Sequence, residues 1–252
     1  MNKVVENLRK ITLICEKERN RNTNKLAVYI HGWLMENLEE EFVSALHNQE
    51  LNHYTLHVER KNDYIYIVVT LLDEDKTYLI EEFLLSSTLN EIIIKSTNEK
   101  YKIVGRNIED KSLSELTERF YQEDSKNTFQ ITFLSPTSFK SNGEYIMFPD
   151  LRFIFQSLMN RYSFVFEGNK KVDKDLLDEL CDKTKIVSYR LNSSYYPVHQ
   201  SYIPGYFGEI KIRCKGNKTL VNYLNMILEF GEFSGVGVKT AMGMGAILVK
   251  QV

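Results

Sequence analysis

Glycine residues are concentrated near the C-terminus of the chain, around a lysine and a threonine. Gly235, Gly237, Gly243 and Gly245 are four of the twelve glycines, and Lys239 and Thr240 lie between them. Because glycine has no Cβ, backbone N–H groups in such a segment can come close to a phosphate, and a lysine adds a positive charge. The same composition is also typical of a tight turn with a bulge. The segment therefore predicts either a phosphate-binding loop or a structural turn.

The spacing of these glycines excludes the two common nucleotide-binding motifs. A P-loop requires Gly-Lys-Ser/Thr in direct succession, but Val238 separates Gly237 from Lys239. A dinucleotide fingerprint requires a third glycine where Thr240 stands, followed by a helix. Residues 246–249 are apolar instead, so the pattern predicts a glycine-rich loop that leads into a terminal strand.

The histidines are the second group of residues that could do chemistry. His47 lies at the end of a helix predicted over residues 25–46, where the helix dipole favours the imidazolium form of a general acid. His31 lies on the same predicted helix and points about 160° away at 100° per residue. The two side chains then share a pocket only if the helix bends or ends early. The others are His53, which could approach His47 across a loop, His57, predicted as a solvated strand position, and His199, among tyrosines.

Positive charge is concentrated in the last third of the chain. Residues 183–252 contain nine lysines and arginines against three glutamates, a net charge of +6, whereas the preceding 182 residues carry −8. Such a basic segment suits a polyanionic ligand, although a solvated basic face is the alternative. Tyrosines are interleaved with these cations, which suits either stacking on unpaired bases or core packing. They are Tyr189, Tyr195, Tyr196, Tyr202 and Tyr206.

Composition limits the class of protein. The 252 residues are 43% hydrophobic and 26% charged, as expected for a globular protein. Cys15, Cys181 and Cys214 are far apart, which argues against a disulfide scaffold or a zinc ribbon. No apolar segment is long enough for a signal peptide or a membrane span, so we expect a cytoplasmic protein without membrane contact. The acidic run 73–75 predicts a solvated turn rather than a magnesium site, and we expect no metal ion or other cofactor.

The order of predicted elements repeats once along the chain. The first half predicts a strand at 11–15, the helix at 25–46, a hairpin at 54–72, a helix at 76–85 and further strands. After a polar boundary near residue 124 the β-α-β-β-α-β order begins again. This order is typical of the ferredoxin-like fold. The sequence therefore predicts an α+β protein of two tandem ferredoxin-like (RRM-like) domains with antiparallel sheets, residues 1–124 and 125–252.

Three segments resemble one family of RNA-processing proteins. They are GEFSGVGVKTAMGMGAILVK at 231–250, LSPTSFKSNGEYIMFPDLRFIFQSLM at 134–159, and YIHGWLMENLEEEFVSALHNQ at 29–49. All three are similar to segments of the CRISPR-associated endoribonucleases that cut repeat RNA into guide RNAs. These enzymes belong to the RAMP superfamily of RNA-binding proteins. The resemblance covers essentially the whole chain and is nearest to members that accompany type III systems.

The resemblance implies a substrate and an RNA-binding surface. It implies binding of CRISPR repeat RNA (pre-crRNA), metal-independent cleavage to 2′,3′-cyclic phosphate and 5′-hydroxyl ends, and transfer of guide RNA to a type III effector complex by a monomer or homodimer. It also implies that the glycine loop packs between the domains and brings backbone N–H groups to RNA phosphates, with Lys239 and Thr240 beside them. Lys140 lies in a segment expected to form a second RNA-contacting loop or a plain hairpin tip.

The resemblance assigns the chemistry to histidine. Cleavage by the RNA's own 2′-hydroxyl requires a general base, a general acid and cations for the phosphorane. His47 matches the family's usual catalytic position, and His31 is the second candidate. The family's tyrosine position holds Met35, so that role is either vacant or taken by another residue, for which Tyr29 is the candidate, and Lys239 is the first candidate to replace the family's lysine. A non-cleaving RAMP subunit that binds guide RNA, and a ferredoxin-like protein that binds a small ligand, remain as alternatives.

Overall fold

The structure of the chain is a computed structural model that describes residues 5–16, 22–47, 51–121, 126–169, 171–198 and 201–252. The N-terminal half contains β1 (Asn7–Glu16), α1 (Thr23–Glu36), α2 (Glu40–His47), β2 (Tyr54–Lys61), β3 (Tyr64–Leu71), α3 (Glu74–Leu85), β4 (Glu91–Ile94), β5 (Glu99–Ser112), α4 (Leu113–Glu118) and a 3-10 turn (Arg119–Tyr121). The C-terminal half contains β6 (Thr128–Thr137), β7 (Phe139–Ser141), β8 (Glu144–Ile146), α5 (Leu151–Tyr162), a π-helical segment (Ser163–Glu167), α6 (Lys174–Lys183), β9 (Thr184–Val198), β10 (Ser201–Cys214), α7 (Lys218–Ser234), a 3-10 turn (Thr240–Met242) and β11 (Ile247–Gln251).

The sheet of the N-terminal half has the strand order β2-β3-β1-β5-β4, with antiparallel pairing. Its first four strands have the order of a ferredoxin-like sheet, and β4 is added at the edge beside β5. Ile11, Leu13 and Cys15 alternate along β1 and are fully buried. They pack with Leu26 and Ile30 of α1, so the period-two pattern of the strand meets the helical pattern in one apolar core.

The sheet of the C-terminal half has the strand order β11-β6-β10-β9, again with antiparallel pairs. Phe129, Ile131 and Phe133 of β6 alternate into a core shared with α5 and α7. Both halves therefore have the predicted ferredoxin-like plan, and the α+β assignment with antiparallel sheets is confirmed. The hairpin of β9 and β10 is long, because β9 has 15 residues and β10 has 14.

The predicted domain limit at residue 124 lies outside the described residues. The first sheet ends at Ser112 and the second begins at Thr128. Between them α4 and the following 3-10 turn pack on α7, where Asn222 Nδ2 donates to Phe120 O at 2.8 Å. Leu116 of α4 is buried in the core of the C-terminal half. The connecting segment therefore packs on the C-terminal half.

The predicted helix over residues 25–46 is two helices. The α1 helix ends at Glu36, where the side chain of Asn37 donates from Nδ2 to Trp33 O at 2.7 Å. The α2 helix begins at Glu40. Asparagine competes for backbone hydrogen bonds in this way, which favours a helix end. His31 and His47 therefore stand on different helices, and an angle calculated along one straight helix does not relate them.

A membrane-spanning helix was not expected, and no helix within the described residues has the length and apolar character needed to cross a bilayer.

Candidate functional site

The glycine-rich loop, residues 235–246, lies between the two halves of the chain. Ala241 belongs to the apolar core of the N-terminal half, whereas Val236 belongs to that of the C-terminal half. A Cβ on Gly243 would overlap the hydroxyl of Tyr196 and would lie 2.5 Å from the Cβ of Ala27 in α1. The missing side chain thus lets α1 pack directly on the loop.

The other glycines of this loop also approach the protein's own backbone. A Cβ on Gly245 would overlap Val236 O, and one on Gly237 would overlap Ser138 O. Both residues have positive φ angles, +72° and +78°, which an L side chain rarely adopts. The N–H groups of Val236 and Gly245 donate to carbonyl oxygens at 2.9 and 3.1 Å. The structural-turn interpretation therefore explains these positions by itself, and direct contact of the glycines with RNA stays a prediction.

Lys239 is the exposed cation at the centre of the loop. Its φ of 56° is left-handed, a conformation that costs a non-glycine residue about 1 kcal/mol. Its carbonyl accepts from the N–H groups of Met242 and Met244 at 3.0 and 3.3 Å, which holds the turn. Thr240 differs from the expectation of a ligand contact, because it is buried and its hydroxyl accepts from Arg161 Nη2 at 2.8 Å. Thr240 anchors the loop from inside.

His31 and Tyr29 line one pocket of about 280 Å³, and Met242 from the glycine loop lies in its wall. The Nδ1 atom of His31 is 3.0 Å from the hydroxyl of Tyr54, and the two rings are nearly parallel. Burial raises the pKa of Tyr54, so the phenol keeps its proton at neutral pH. The ammonium of Lys25 is 6.0 Å from the ring centroid of Tyr29. Histidine, phenol and lysine are thus brought together beside the loop.

Tyr54 was not identified from the sequence. Tyr54 is the first residue of β2, and its side chain is buried. In the sequence its place in the alternating pattern of the strand indicated a core residue and nothing more. Its hydroxyl lies 3.9 Å from Sδ of Met35, the residue that stands where the family's tyrosine was expected. A tyrosine on β2 therefore brings its hydroxyl to the neighbourhood of Met35. No local signal distinguishes Tyr54 from other buried strand residues.

His47 is the last residue of α2, which matches its predicted place at a helix C-terminus. The preceding Leu46 is buried in the N-terminal core, whereas the side chain of His47 lies outside the described part of the structure. His199 also lies outside the described residues. The separation between His47 and His31 therefore stays a prediction.

Two further histidines have positions of their own. His53 is buried and stacks on Phe164, with ring centroids 4.5 Å apart. Burial, with a smaller effect of the Lys76 ammonium, lowers the pKa of His53 to about 4. His57 was expected to be solvated but is largely covered, and its Nε2 lies 3.1 Å from a carboxylate oxygen of Glu59. Neither histidine lines the pocket of His31.

Arg161 of α5 is a second residue that the sequence did not reveal. Its side chain is buried, donates to Gly237 O and Thr240 Oγ1, and lines a pocket of about 620 Å³ together with Lys140 of the β7–β8 hairpin. The only signal was its spacing, because Arg161 follows Ile154 and Leu158 on the face of α5 that is otherwise apolar and buried.

The remaining predictions of ligand groups divide by exposure. Tyr189, Tyr195 and Tyr202 are about two-thirds exposed, as stacking on bases requires, whereas Tyr196 and Tyr206 are core residues.

Asp73, in the acidic run 73–75, caps α3 by accepting from the N–H of Lys76. Over the described ranges, no three His, Cys, Asp or Glu side chains are grouped so that they could hold a metal ion.

Comparison with known proteins identifies the family. The family described as CRISPR-associated endoribonuclease Cas6 matches residues 131–247. The chain is 39% identical to a Streptococcus thermophilus protein named CRISPR-associated endoribonuclease Cas6, over 90% of this chain and 92% of the relative. It is 28% identical to a protein of the same name from Mycobacterium tuberculosis (strain CDC 1551 / Oshkosh), over 98% of this chain and 80% of the relative.

The fold is shared with solved Cas6 structures. A Cas6 (TTHB231) product complex, of a Thermus thermophilus protein, superposes with a TM-score of 0.79 at 21% identity, covering 96% of this chain and 99% of the other. At that identity the likeness shows the fold alone. The 39% identity to the Streptococcus relative extends over nine-tenths of both chains and therefore shows the family as well as the fold. This chain belongs to the Cas6 family of CRISPR-associated endoribonucleases and is an RNA-cleaving hydrolase.

Proposed function

We propose that this chain binds CRISPR repeat RNA and cleaves it without a metal ion, by attack of a 2′-hydroxyl on the neighbouring phosphate. The products would carry a 2′,3′-cyclic phosphate and a 5′-hydroxyl. The observation that carries the proposal is the His31–Tyr54 pair in a pocket whose wall includes Met242 of the glycine loop. The +6 charge of residues 183–252 favours a polyanionic substrate.

The reaction moves two protons, and two histidines are assigned to them. We assign His47 as the general acid for the leaving 5′-oxygen, because a helix C-terminus favours the imidazolium form. His31 is the candidate base. If its Nδ1–H donates to Tyr54, whose phenol in turn donates to Met35 Sδ, then Nε2 is the basic nitrogen. Tyr29, in the same pocket, is a candidate for positioning the RNA.

We assign Lys239 to supply the positive charge that the phosphorane needs. Its side chain is exposed at the tip of the loop, between Val238, which lines the Arg161 pocket, and Met242, which lines the His31 pocket. Most loop glycines have positive φ angles and pack closely against other parts of the protein, which determines the shape of the loop. We therefore assign them an indirect role in RNA binding.

The test is cleavage of labelled repeat RNA in EDTA, with mapping of the product ends. We expect cleavage of the all-ribose RNA and none of an RNA with a single 2′-deoxy substitution just 5′ of the cut, which should still bind. Cutting of the deoxy substrate would show attack by water and overturn the mechanism. Loss of all cleavage in EDTA would overturn the metal-independent step.

The histidine assignments are tested by single-turnover rates. His47→Ala should retain RNA binding and lose about 10²–10⁴-fold in cleavage rate, the usual contribution of general acid–base catalysis. His31→Ala should lose less. If His47→Ala cuts at the wild-type rate while His31→Ala is inactive, the principal role moves to His31.

The later fate of the product is a separate proposal. The resemblance to members of type III systems supports transfer of the guide RNA to a type III effector complex, in the cytoplasm, by a monomer or homodimer. Size-exclusion chromatography with and without RNA gives the oligomeric state. Incubation of the product-bound protein with a purified type III effector tests the transfer, and retention of all labelled RNA by this chain would contradict it.

A further inference from the structure

We infer that the pocket containing Arg161 holds one unpaired nucleotide of the RNA, with the phosphate at Arg161 and the base against Phe153. The inference rests on the proposed function, because it takes repeat RNA to be the ligand. The pocket lies at the opposite end of the glycine loop from the His31 pocket, since Gly237 and Val238 line the one and Met242 lines the other.

One face of α5 forms the floor of this pocket. Phe153, Gln156, Ser157, Asn160 and Arg161 are spaced by three and four residues, so they share a helix face, and all five line the pocket. The core-facing residues of α5 are apolar apart from Arg161, which is buried together with Ile154, Phe155, Leu158 and Met159. Four of the five pocket residues are polar, as expected of the face that is turned away from the core. The hairpin of β7 and β8 and the start of the glycine loop close the other sides. The volume of about 620 Å³ is typical of pockets for small ligands.

Arg161 provides a site for a phosphate. It is 5% exposed, and within the described residues its Nη2 donates to two neutral oxygens, Gly237 O at 3.3 Å and Thr240 Oγ1 at 2.8 Å. Burial lowers its pKa to about 10, so the guanidinium stays charged at neutral pH. Within the described residues it has no carboxylate partner, and no Asp or Glu is among the described residues that line the pocket. A buried cation without a counter-ion is costly, and a bound anion removes that cost.

Two neighbours extend the anion site. Lys140 lines the pocket, and its ammonium lies 5.6 Å from the ring centroid of Tyr145, which directs it along the hairpin. Ser157 Oγ accepts from the N–H of Gly237 at 2.9 Å, so the hydroxyl proton is left for an acceptor such as a phosphate oxygen. The Lys140 cation and the Ser157 hydroxyl thus line the same pocket.

The rest of the pocket suits a base. Phe139 and Phe153 stack with centroids 5.9 Å apart at 21°, and Phe153 is the more exposed ring of the pair. An aromatic surface of this kind is a common platform for unpaired bases. Gln156 and Asn160 stand one helical turn apart, and each amide offers a donor and an acceptor to the edge of a base. The two amides would therefore select which base occupies the pocket.

The experiment is an abasic scan of the labelled repeat RNA, with binding measured for each position. We expect one position where loss of the base weakens binding to the wild-type protein by about tenfold or more. The double variant Gln156→Ala/Asn160→Ala should show a smaller difference at the same position, because it removes the hydrogen bonds to the edge of the base while Phe153 keeps its stacking surface. Neither amide holds the loop, so the variant should fold normally, whereas Arg161 variants also remove a bond to Thr240. Arg152→Ala is the matched control, because this exposed residue of α5 pairs with Asp178 away from the pocket and should keep the wild-type pattern.

The outcomes separate the two levels of the proposal. If the wild-type protein neither binds nor cleaves any repeat RNA, the proposed function fails and this inference fails with it. If the wild-type protein binds and cleaves but no abasic position distinguishes it from the double variant, only the nucleotide pocket is overturned. The same applies if Arg152→Ala alters the pattern as much as the double variant does.

Discussion

Replacing His53 with phenylalanine tests how much this histidine, at the contact between the two halves, contributes to the pH dependence of the free energy of unfolding. The buried His53 ring stacks on Phe164, which lies in the π-helical segment of the C-terminal half. Its Nδ1 is 3.5 Å from a carboxylate oxygen of Asp73, and its Nε2 is 3.2 Å from the Lys76 ammonium. Phenylalanine keeps a ring against Phe164 but cannot bind a proton.

The magnitude follows from the pKa of His53, which burial lowers from 6.5 to about 4. Between these values the unfolded chain binds more protons than the folded one, so the free energy of unfolding falls as the pH falls below about 6.5 and levels off below about 4. Each pKa unit is worth about 1.4 kcal/mol, so the full loss is about 3 kcal/mol, of which about 2 kcal/mol occurs between pH 7 and pH 5. Glu59, whose pKa is lowered to about 2 mainly by its bond to His57, titrates below this window.

The assay is urea unfolding at pH 7 and pH 5, followed by the fluorescence of Trp33, the single tryptophan, which is buried in the N-terminal core. The wild-type protein should lose about 2 kcal/mol more stability between the two pH values than His53→Phe does. His57→Gln, on the strand β2 that follows His53, is the control and should keep the wild-type difference. An equal loss in wild type and His53→Phe would refute the claim that burial holds His53 neutral.

Three further predictions concern the loop and the His31 pocket. Gly245→Ala, which forces a Cβ against a backbone carbonyl at φ +72°, should cost about 2 kcal/mol or more of unfolding free energy. Gly32→Ala, with open space in α1, should instead stabilise the protein by about 0.5–1 kcal/mol, and urea titrations that rank the two variants otherwise would contradict the packing described. Tyr54→Phe removes the bond to His31 and should lower the cleavage rate about fivefold to tenfold with RNA affinity unchanged, so a wild-type pH–rate profile would exclude the phenol from the mechanism. Lys239→Gly tolerates the left-handed backbone and should lower the slope of log K against log salt by about 0.7–0.9, whereas an unchanged slope in binding titrations would show that the lysine contacts no phosphate.

Most of the fold could be predicted, because the period of two in strands and the period of 3.6 in helices are both visible among neighbouring residues. The hairpin predicted at 54–72 is β2 and β3, and the helix predicted at 76–85 is α3. The break between α1 and α2 was missed, because apolar residues keep their helical spacing across it while Asn37 ends the first helix with its own side chain. A side-chain bond of this kind outweighs the periodic pattern over a few residues.

The candidate site was predicted only where it is local in sequence. The glycine loop and His31 were identified from residue types and from family resemblance. Thr240, however, is buried, because Arg161 reaches it from a helix 79 residues earlier. Whether a single loop residue such as Thr240 is exposed or buried depends on which distant side chain forms a hydrogen bond with it.

The sequence by itself determined two ferredoxin-like units, a glycine-rich loop and a basic C-terminal third, since each is expressed in the order, spacing or charge of neighbouring residues. Only the tertiary structure decided that the hydroxyl of Tyr54 lies beside the ring of His31, 23 residues earlier in the chain. It also decided that the space next to Gly237 and Gly245 is filled by the protein's own backbone. It also placed the buried Arg161, which has no carboxylate partner among the described residues, in a pocket with several polar side chains. These features are contacts between residues that are far apart in the sequence or lie on different elements, and local propensity carries no information about the partner of a buried polar group.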